Sequence, residues 1–373
     1  MSAEKRSDGR DIDPRLGTLS GEGAQQRVER LDGPDAGREP LHTRPTQSGA
    51  ASADAPSYYG QPVLKTPVWI WSVPLYFYVG GTAGAASVLG AAVEWVGGES
   101  LKPLGQRCRW VGAVGDLVSA GLLVHDLGRP ERFLNMLRVF RPTSPMSLGT
   151  WILSGSGAMN AVSVLLSRQK GWLGRVGDGA AIGGGLLGMP LAGYTAVLIT
   201  NTAVPLWQSV HQTLPLLFMA SSVAGAGSLL ELLPHPPRES RTLHVFSTLG
   251  KVATLLAERA VRRDASRVEE VARPLNQGRT GAMWKAARVC TAASLALGLW
   301  PGRRPGTTRA AALLGTVGAL LTRFAVFHAG KASSRNPQAT FQGQRQGLGA
   351  AEVTGHSLAS DGKPLRFPLP VVR

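Results

Sequence analysis

Residues 179–230 read GAAIGGGLLGMPLAGYTAVLITNTAVPLWQSVHQTLPLLFMASSVAGAGSLL, 52 consecutive positions without a formal charge. A helix rises about 1.5 Å per residue, so this run can cross the ~30 Å hydrocarbon core of a bilayer twice. A soluble helix of that length turns one face to water and carries charge there. The break falls near Asn201–Gln208 around Pro205, which places spans at 181–201 and 212–233. Further out, 28 residues between Lys65 and Glu94 and 26 between Arg141 and Arg168 are also uncharged, giving spans at 68–93 and 146–167. A weaker span at 110–125 contains Asp116, and three more lie at 242–258 with Lys251, 282–300 with Lys285 and Arg288, and 308–328 with Arg323. Long basic side chains near span ends can reach the headgroups, so they do not veto these segments. The sequence therefore predicts an all-α integral membrane protein, a bundle of about eight transmembrane helices over 58–333.

The 43% hydrophobic content looks ordinary only because polar termini dilute it. Residues 1–57 carry 8 Lys/Arg and 10 Asp/Glu, are rich in Gly, Pro and Ser, and read as a disordered tail; 334–373 read as a second polar tail. The start of the chain shows no basic-then-apolar pattern, so no cleavable secretion signal is expected. The net charge of +16 thus belongs to the loops of the bundle, where arginines cluster from Arg129 to Arg141 and from Arg259 to Arg279. Headgroup-level arginine explains it, and without an aromatic-interleaved basic motif nucleic acid is not an expected partner. Similar numbers of Lys/Arg fall on the two sides, so charge bias gives no orientation. Gly80 with Gly84, and Gly184 with Gly188, form small-xxx-small pairs that suit close helix packing.

Two cysteines, Cys108 and Cys290, exclude a disulfide framework, a four-cysteine metal site and a self-contained iron–sulfur cluster. The seven histidines, at 42, 125, 211, 235, 244, 328 and 356, lie in the tails or near span ends, which speaks against a bundle haem. No metal site is expected. Any redox role then depends on a cofactor held by another chain.

The most specific local stretch runs from Asp116 to Trp151, DLVSAGLLVHDLGRPERFLNMLRVFRPTSPMSLGTW. A span ends at His125–Asp126, a Gly–Arg–Pro turn follows, and Pro130 can open a short helix. Phe133, Met136, Leu137 and Phe140 would share one face of it, an amphipathic pattern suited to the membrane surface or to a simple connector. The part LGRPERFLNMLRVFRPTSPMSLGTW resembles the signature loop of the NrfD-like, polysulfide-reductase-type membrane subunits. Three further stretches agree in order: YYGQPVLKTPVWIW…YFYVGGTAGA at the first span, GMPLAGYTAVLITNTAVPLW at the fourth, and RFAVFHAGKASSRNPQATFQGQR after the last. The resemblance covers 58–345. It implies about eight transmembrane helices without haem, a partner iron–sulfur subunit beside a catalytic subunit, exchange of electrons with quinone (menaquinone or ubiquinone), and the cytoplasmic membrane of a bacterium.

A quinone head group needs hydrogen-bond donors to its carbonyls and a proton relay. The candidates are Tyr76, Asp116, His125 and Tyr194. A carboxylate as deep as Asp116 is costly unless paired or protonated and marks a functional pathway, or else a structural ion pair with Arg323. Tyr76 could instead be an interfacial aromatic with Trp69 and Trp71, Tyr194 a tyrosine bonding a neighbouring helix, and His125 a helix-end partner of Arg129. Relatives carry a head-group-binding histidine where this chain has Tyr76, which keeps a donor but titrates far higher. Glu94, Glu231 and Glu258 read as solvated anchors. Arg129, Arg132 and Arg138 are the candidate partner-contact residues. The reading is a quinone-interacting subunit of an oxidoreductase complex with catalysis of the second substrate on partner chains. A passive membrane anchor is the alternative, and a secondary transporter a weaker one, since no repeat between the halves is evident.

Overall fold

The structure is a computed structural model and describes residues 11–13, 18–20, 62–127, 131, 133–301 and 305–345. Residues 1–57 form a unit of their own. Within this segment, read from sequence as a disordered tail, β1 (Asp11–Asp13) pairs antiparallel with β2 (Thr18–Ser20), Ile12 opposite Leu19.

The second unit is helical. Its long elements are α1 (Ser72–Val96), α2 (Lys102–Asp126), α3 (Pro145–Leu166), α4 (Trp172–Thr200), α6 (Thr213–Glu231), α7 (Pro237–Ala265), α9 (Gly278–Leu299) and α10 (Pro305–Ser334). Short helices α5 (Pro205–Ser209), α8 (Glu269–Asn276) and α11 (Pro337–Arg345) sit between or after them. These boundaries follow the chemistry. Pro145 opens α3 behind Ser144, whose side chain accepts from the Ser147 amide, and Pro237 opens α7. Positive φ at Gly98 (62°) and Gly171 (71°) allows the tight reversals before α2 and α4. Among the described residues, α1, α4, α6 and α10 are long and apolar enough to cross a membrane.

Helices α1–α4 pack as one quartet in cyclic order, and α6, α7, α9 and α10 as a second, with α1, α6 and α10 meeting between them. The small-residue pairs expected from sequence bring α1 and α4 together: a Cβ on Gly84 would lie 2.5 Å from the Gly188 carbonyl, and one on Gly188 2.5 Å from that of Gly84.

The leading helices of the two quartets, α1 and α6, also match in sequence, a repeat where none was expected. Setting α1 against α6 pairs identical residues at Pro74/Pro215, Leu75/Leu216, Phe77/Phe218, Ala83/Ala224, Gly84/Gly225, Ala85/Ala226, Ser87/Ser228 and Leu89/Leu230. The packing repeats in the same register, since Gly115 of α2 abuts Ala83 and Gly250 of α7 abuts Ala224. The repeat is faint along the chain because α2 and α7 share so little. Asp116 occupies the place in α2 that Lys251 occupies in α7.

Polarity in the less apolar helices is inside out. In α7 the buried face holds Ser247, Lys251, Thr254 and Glu258, while Val245, Leu249, Val252 and Leu256 are exposed. In α2, Arg109, Asp116 and Ser119 are buried and Trp110, Val114 and Leu117 exposed. Such an arrangement loses stability in water and gains it against lipid. Two sequence expectations change here. Lys251 does not reach for the headgroups but lies buried 3.6 Å from Glu231. Glu258 is not a solvated anchor: it is 1% exposed and 3.8 Å from Arg288.

Candidate functional site

The first quartet encloses a polar cluster built around Asp116. One carboxylate oxygen accepts from Ser156 Oγ at 2.8 Å and from Asn160 Nδ2 at 2.8 Å, both on α3. Asn160 Nδ2 also donates to Ser87 Oγ of α1 at 2.9 Å. Three helices are thus tied together through Asp116 and Asn160. Glycines make the room: a Cβ at Gly112 would lie 2.4 Å from Ser87 Oγ, and one at Gly184 2.5 Å from Asn160 Oδ1. Asp116 is 2% exposed, and its Oδ1 has no hydrogen-bond partner. Close by, the Ser119 hydroxyl is buried without a partner as well. Two such groups three residues apart on one helix leave hydrogen-bonding capacity that a water, an ion or a ligand can meet.

Tyr76 lines the same α1–α2 seam. It is 3% exposed and tilted on Phe77, and a Cβ at Gly80 would touch both its ring (3.6 Å) and Ser119 Oγ (3.2 Å). It is therefore no interfacial aromatic, a role left to the exposed Trp71; Trp69 stacks on Trp207 with centroids 6.1 Å apart. His125 is exposed at the end of α2, its ring 5.8 Å from that of Trp71, while Ser72 Oγ donates to neighbouring Asp126 at 3.2 Å. Tyr194 is half-buried with its ring against α3, where a Cβ on Gly149 would fall 2.1 Å from it. Gly149 and Ser156 are separated by about 10 Å along α3. The four candidates therefore belong to one quartet. Tyr76 and Asp116 flank one seam, whereas His125 and Tyr194 stand nearer its end, and no described hydrogen bond links any two of them.

Asp116 and Arg323 do not form an ion pair, since each bonds to other groups. Burial without a counter-charge makes Asp116 more unusual than the sequence suggested. Ser87, Ser119, Ser156 and Asn160 were not singled out from sequence. Their signal was available in the spacing of Ser156, Asn160 and Ser163, which puts the polar residues of α3 on one buried face.

At the loop end, Arg138 is exposed. Arg129 and Arg132 lie outside the described residues. The expected amphipathic helix is replaced by a four-residue 3-10 turn, Leu134–Leu137. The reason is tertiary. Phe140 packs edge-on against Trp151, and Ser147 Oγ accepts from the Arg141 amide and donates to the Val139 carbonyl, so the loop folds back on α3. At the opposite end Arg109 clasps Glu94 (2.7 Å) and Asp178 (2.8 Å), and Arg107 of α2 joins His235 and Glu239 of the second quartet. Glu94 is thus a paired group and not merely a solvated anchor.

An all-helical unit with membrane-spanning helices and an acid buried among them defines a multi-pass membrane protein with an internal polar site. The family model described as "Polysulphide reductase, NrfD" matches residues 61–332. The chain belongs to the NrfD family, whose members are membrane subunits that partner other redox subunits. No curated protein matches the chain.

Proposed function

We propose that this chain is the quinone- or quinol-interacting membrane subunit of a multi-subunit oxidoreductase, exchanging electrons with a partner iron–sulfur subunit while a further subunit handles the second substrate. All eight long helices cross the membrane, on this reading the cytoplasmic membrane of a bacterium. Supporting the crossing of α2 and α7 is their inverted polarity, with Leu117, Leu249 and Leu256 outward and Asp116, Lys251 and Glu258 inward.

The observation that carries the site is Asp116, a buried acid with one oxygen unpaired, in the same seam as Tyr76 and the unpaired Ser119 hydroxyl. These residues fit a quinone head group, because Tyr76 and Ser119 offer O–H donors to carbonyl oxygens and Asp116 offers a proton acceptor. A bound quinone supplies two-electron, two-proton chemistry. The protein's own residues supply the rest. Tyr76 and Ser119 orient, Asp116 takes or gives a proton at Oδ1, and Ser156 and Asn160 hold its other oxygen in place. His125 at the exposed helix end is the relay to water, and Tyr194 closes the α3–α4 side. Arg129, Arg132 and Arg138 present a basic loop to the partner.

Purification of the tagged chain in mild detergent tests this directly. The expected result is an iron–sulfur partner and extractable quinone, with Asp116→Asn lowering quinol turnover of the assembled complex about 100-fold or more, the low end of the usual range for removing an acid–base group. Full turnover in Asp116→Asn and Tyr76→Phe would remove these residues from the site. Retention of turnover in both, with release of the partner on loop substitution at Arg138, is the outcome a passive anchor requires.

A further inference from the structure

The outward face of α7 is a single stripe. Val245, Leu249, Val252 and Leu256 are exposed at spacings of four, three and four residues, the repeat of one helix face. The stripe continues at both ends into exposed arginines, with Arg238 and Arg241 before it and Arg259 and Arg263 after it. From Arg241 to Arg259 the helix rises about 27 Å, close to the ~30 Å hydrocarbon core of a bilayer. These arginines stand at headgroup depth and face the way the leucines face, toward lipid.

The end at Arg259 is the richer one, because α9 adds to it. Helix α9 runs antiparallel beside α7. Arg288 Nε lies 3.8 Å from Glu258 Oε2, and a Cβ on Gly298 would lie 3.6 Å from the His244 ring. That register sets Lys285 level with Val261, between Arg259 and Arg263. Lys285 is exposed, on an outward stripe of α9 formed with Ala282, Val289 and Ala292. Arg262 is exposed as well, so four cations share one depth on two adjacent helices. The nearby acids are engaged elsewhere: Glu258 is buried against Arg288, and Asp264 pairs with Arg267 at 3.1 Å. Among the described residues, no carboxylate is paired with Arg259, Arg262, Arg263 or Lys285.

We propose that the outward α7–α9 face binds an anionic phospholipid. Its headgroup is held among Arg259, Arg262, Arg263 and Lys285, and its acyl chains lie along Leu249, Leu256 and Val289. This rests on the reading that α7 and α9 cross the membrane. A guanidinium fork matches two phosphate oxygens, and Arg259 and Arg263 stand one turn apart on one face. Net negative charge is needed because a zwitterionic headgroup brings its own ammonium and leaves the cluster unbalanced. The site is separate from the Asp116 seam, which belongs to α1, α2 and α3.

The test uses the full chain in mild detergent, with thermal unfolding followed while phosphatidylglycerol or phosphatidylcholine is titrated in mixed micelles. A ligand that binds the folded state raises the unfolding temperature with concentration. The expected result is a rise with phosphatidylglycerol and none with phosphatidylcholine. In the double variant Arg259→Gln/Arg263→Gln, at exposed positions that keep the fold, the lipid concentration needed should grow at least about tenfold. Arg273→Gln is the control, because Glu270 already balances that charge at 3.5 Å. Equal rises with the two lipids would overturn the proposal, as would a phosphatidylglycerol response that the double variant keeps. Inorganic phosphate acting at the same concentration would overturn it too, since a free anion would then suffice. Loss of the iron–sulfur partner from the double variant, without any lipid response, would assign the arginines to a protein contact instead. A separate measurement isolates the underlying reading. With Cys290→Ser as background and Cys108 buried, Leu249→Cys is expected to resist a water-soluble maleimide in native membranes. Labelling there would overturn the crossing of α7 itself, whereas protection without a lipid response would overturn the lipid site alone.

Discussion

Substituting alanine at Gly84 or Gly188 probes the crossing on which the first quartet depends. Each new methyl would meet the opposing helix's backbone carbonyl at 2.5 Å, with further atoms at 3.1–3.2 Å. A carbon–oxygen contact relaxes at roughly 3.2 Å, so α1 and α4 must part by about 0.7 Å, enough to forfeit a quarter to a half of each local dispersion contact. Backbone, unlike a side-chain tip, cannot rotate away. Overpacking of this kind costs roughly 1–3 kcal/mol, and in a membrane, where packing drives helix association, little offsets it. The two methyls would enter the same gap, so the double variant should cost well under the sum of the singles. Gly121 and Gly179 are the controls, because a Cβ at either meets nothing within 4 Å. Alanine there should be neutral or gain up to about 1 kcal/mol. Unfolding in mild detergent, followed by the fluorescence of the nine tryptophans, reads all five variants. If Gly84→Ala unfolds with the controls, or the two costs simply add, the described crossing is wrong.

Other perturbations separate the parts of the molecule. Asn160→Leu removes the donor to both Asp116 and Ser87, and should cost about 1–3 kcal/mol together with turnover. Ser163→Ala deletes a buried hydroxyl that has no partner and should cost nothing in the same unfolding assay. Arg109→Met breaks the clasp to Glu94 and Asp178; a cost of roughly 3 kcal/mol is expected, the low end for a buried pair because Asp178 is half exposed. Gly330→Ala would place a methyl 2.0 Å from the fully buried indole of Trp207, whose Nε1 donates to the Val326 carbonyl at 3.0 Å. Its effect should exceed that of Gly84→Ala and show as a red shift in tryptophan emission; an unshifted spectrum counts against this packing.

The positions of α1, α3, α4 and α6 were readable from runs of uncharged residues, because lipid penalises charge over whole spans, while α2, α7, α9 and α10 gave weaker signals with charges inside them. Asp116 was readable for the same reason, as an exception to the rule. Its surroundings were not, since Ser156 and Asn160 reach it across a helix interface that no local pattern records. Lys251 and Glu258 were misread because snorkelling and burial look alike in one dimension; only the packing of α6 and α9 on α7 decides between them. The loop after α2 has the periodicity of a helix, but Trp151 and Ser147 draw it onto α3. The repeat was hidden by its own divergence, which spared the small residues at helix crossings and changed the charges.

That repeat has a consequence for stoichiometry. Phe77 touches its own counterpart Phe218, with centroids 6.0 Å apart, and Gly81 abuts its counterpart Ser222. Self-contacts between matched residues occur only on a two-fold axis, so the chain is laid out as an isologous dimer of four-helix halves joined into one polypeptide. A true homodimer must carry every site twice. Fusion lifts that constraint, and the chain has used the freedom: an acid at 116 answers a lysine at 251. Each buried polar site therefore exists once per chain, at half the number the architecture would otherwise dictate.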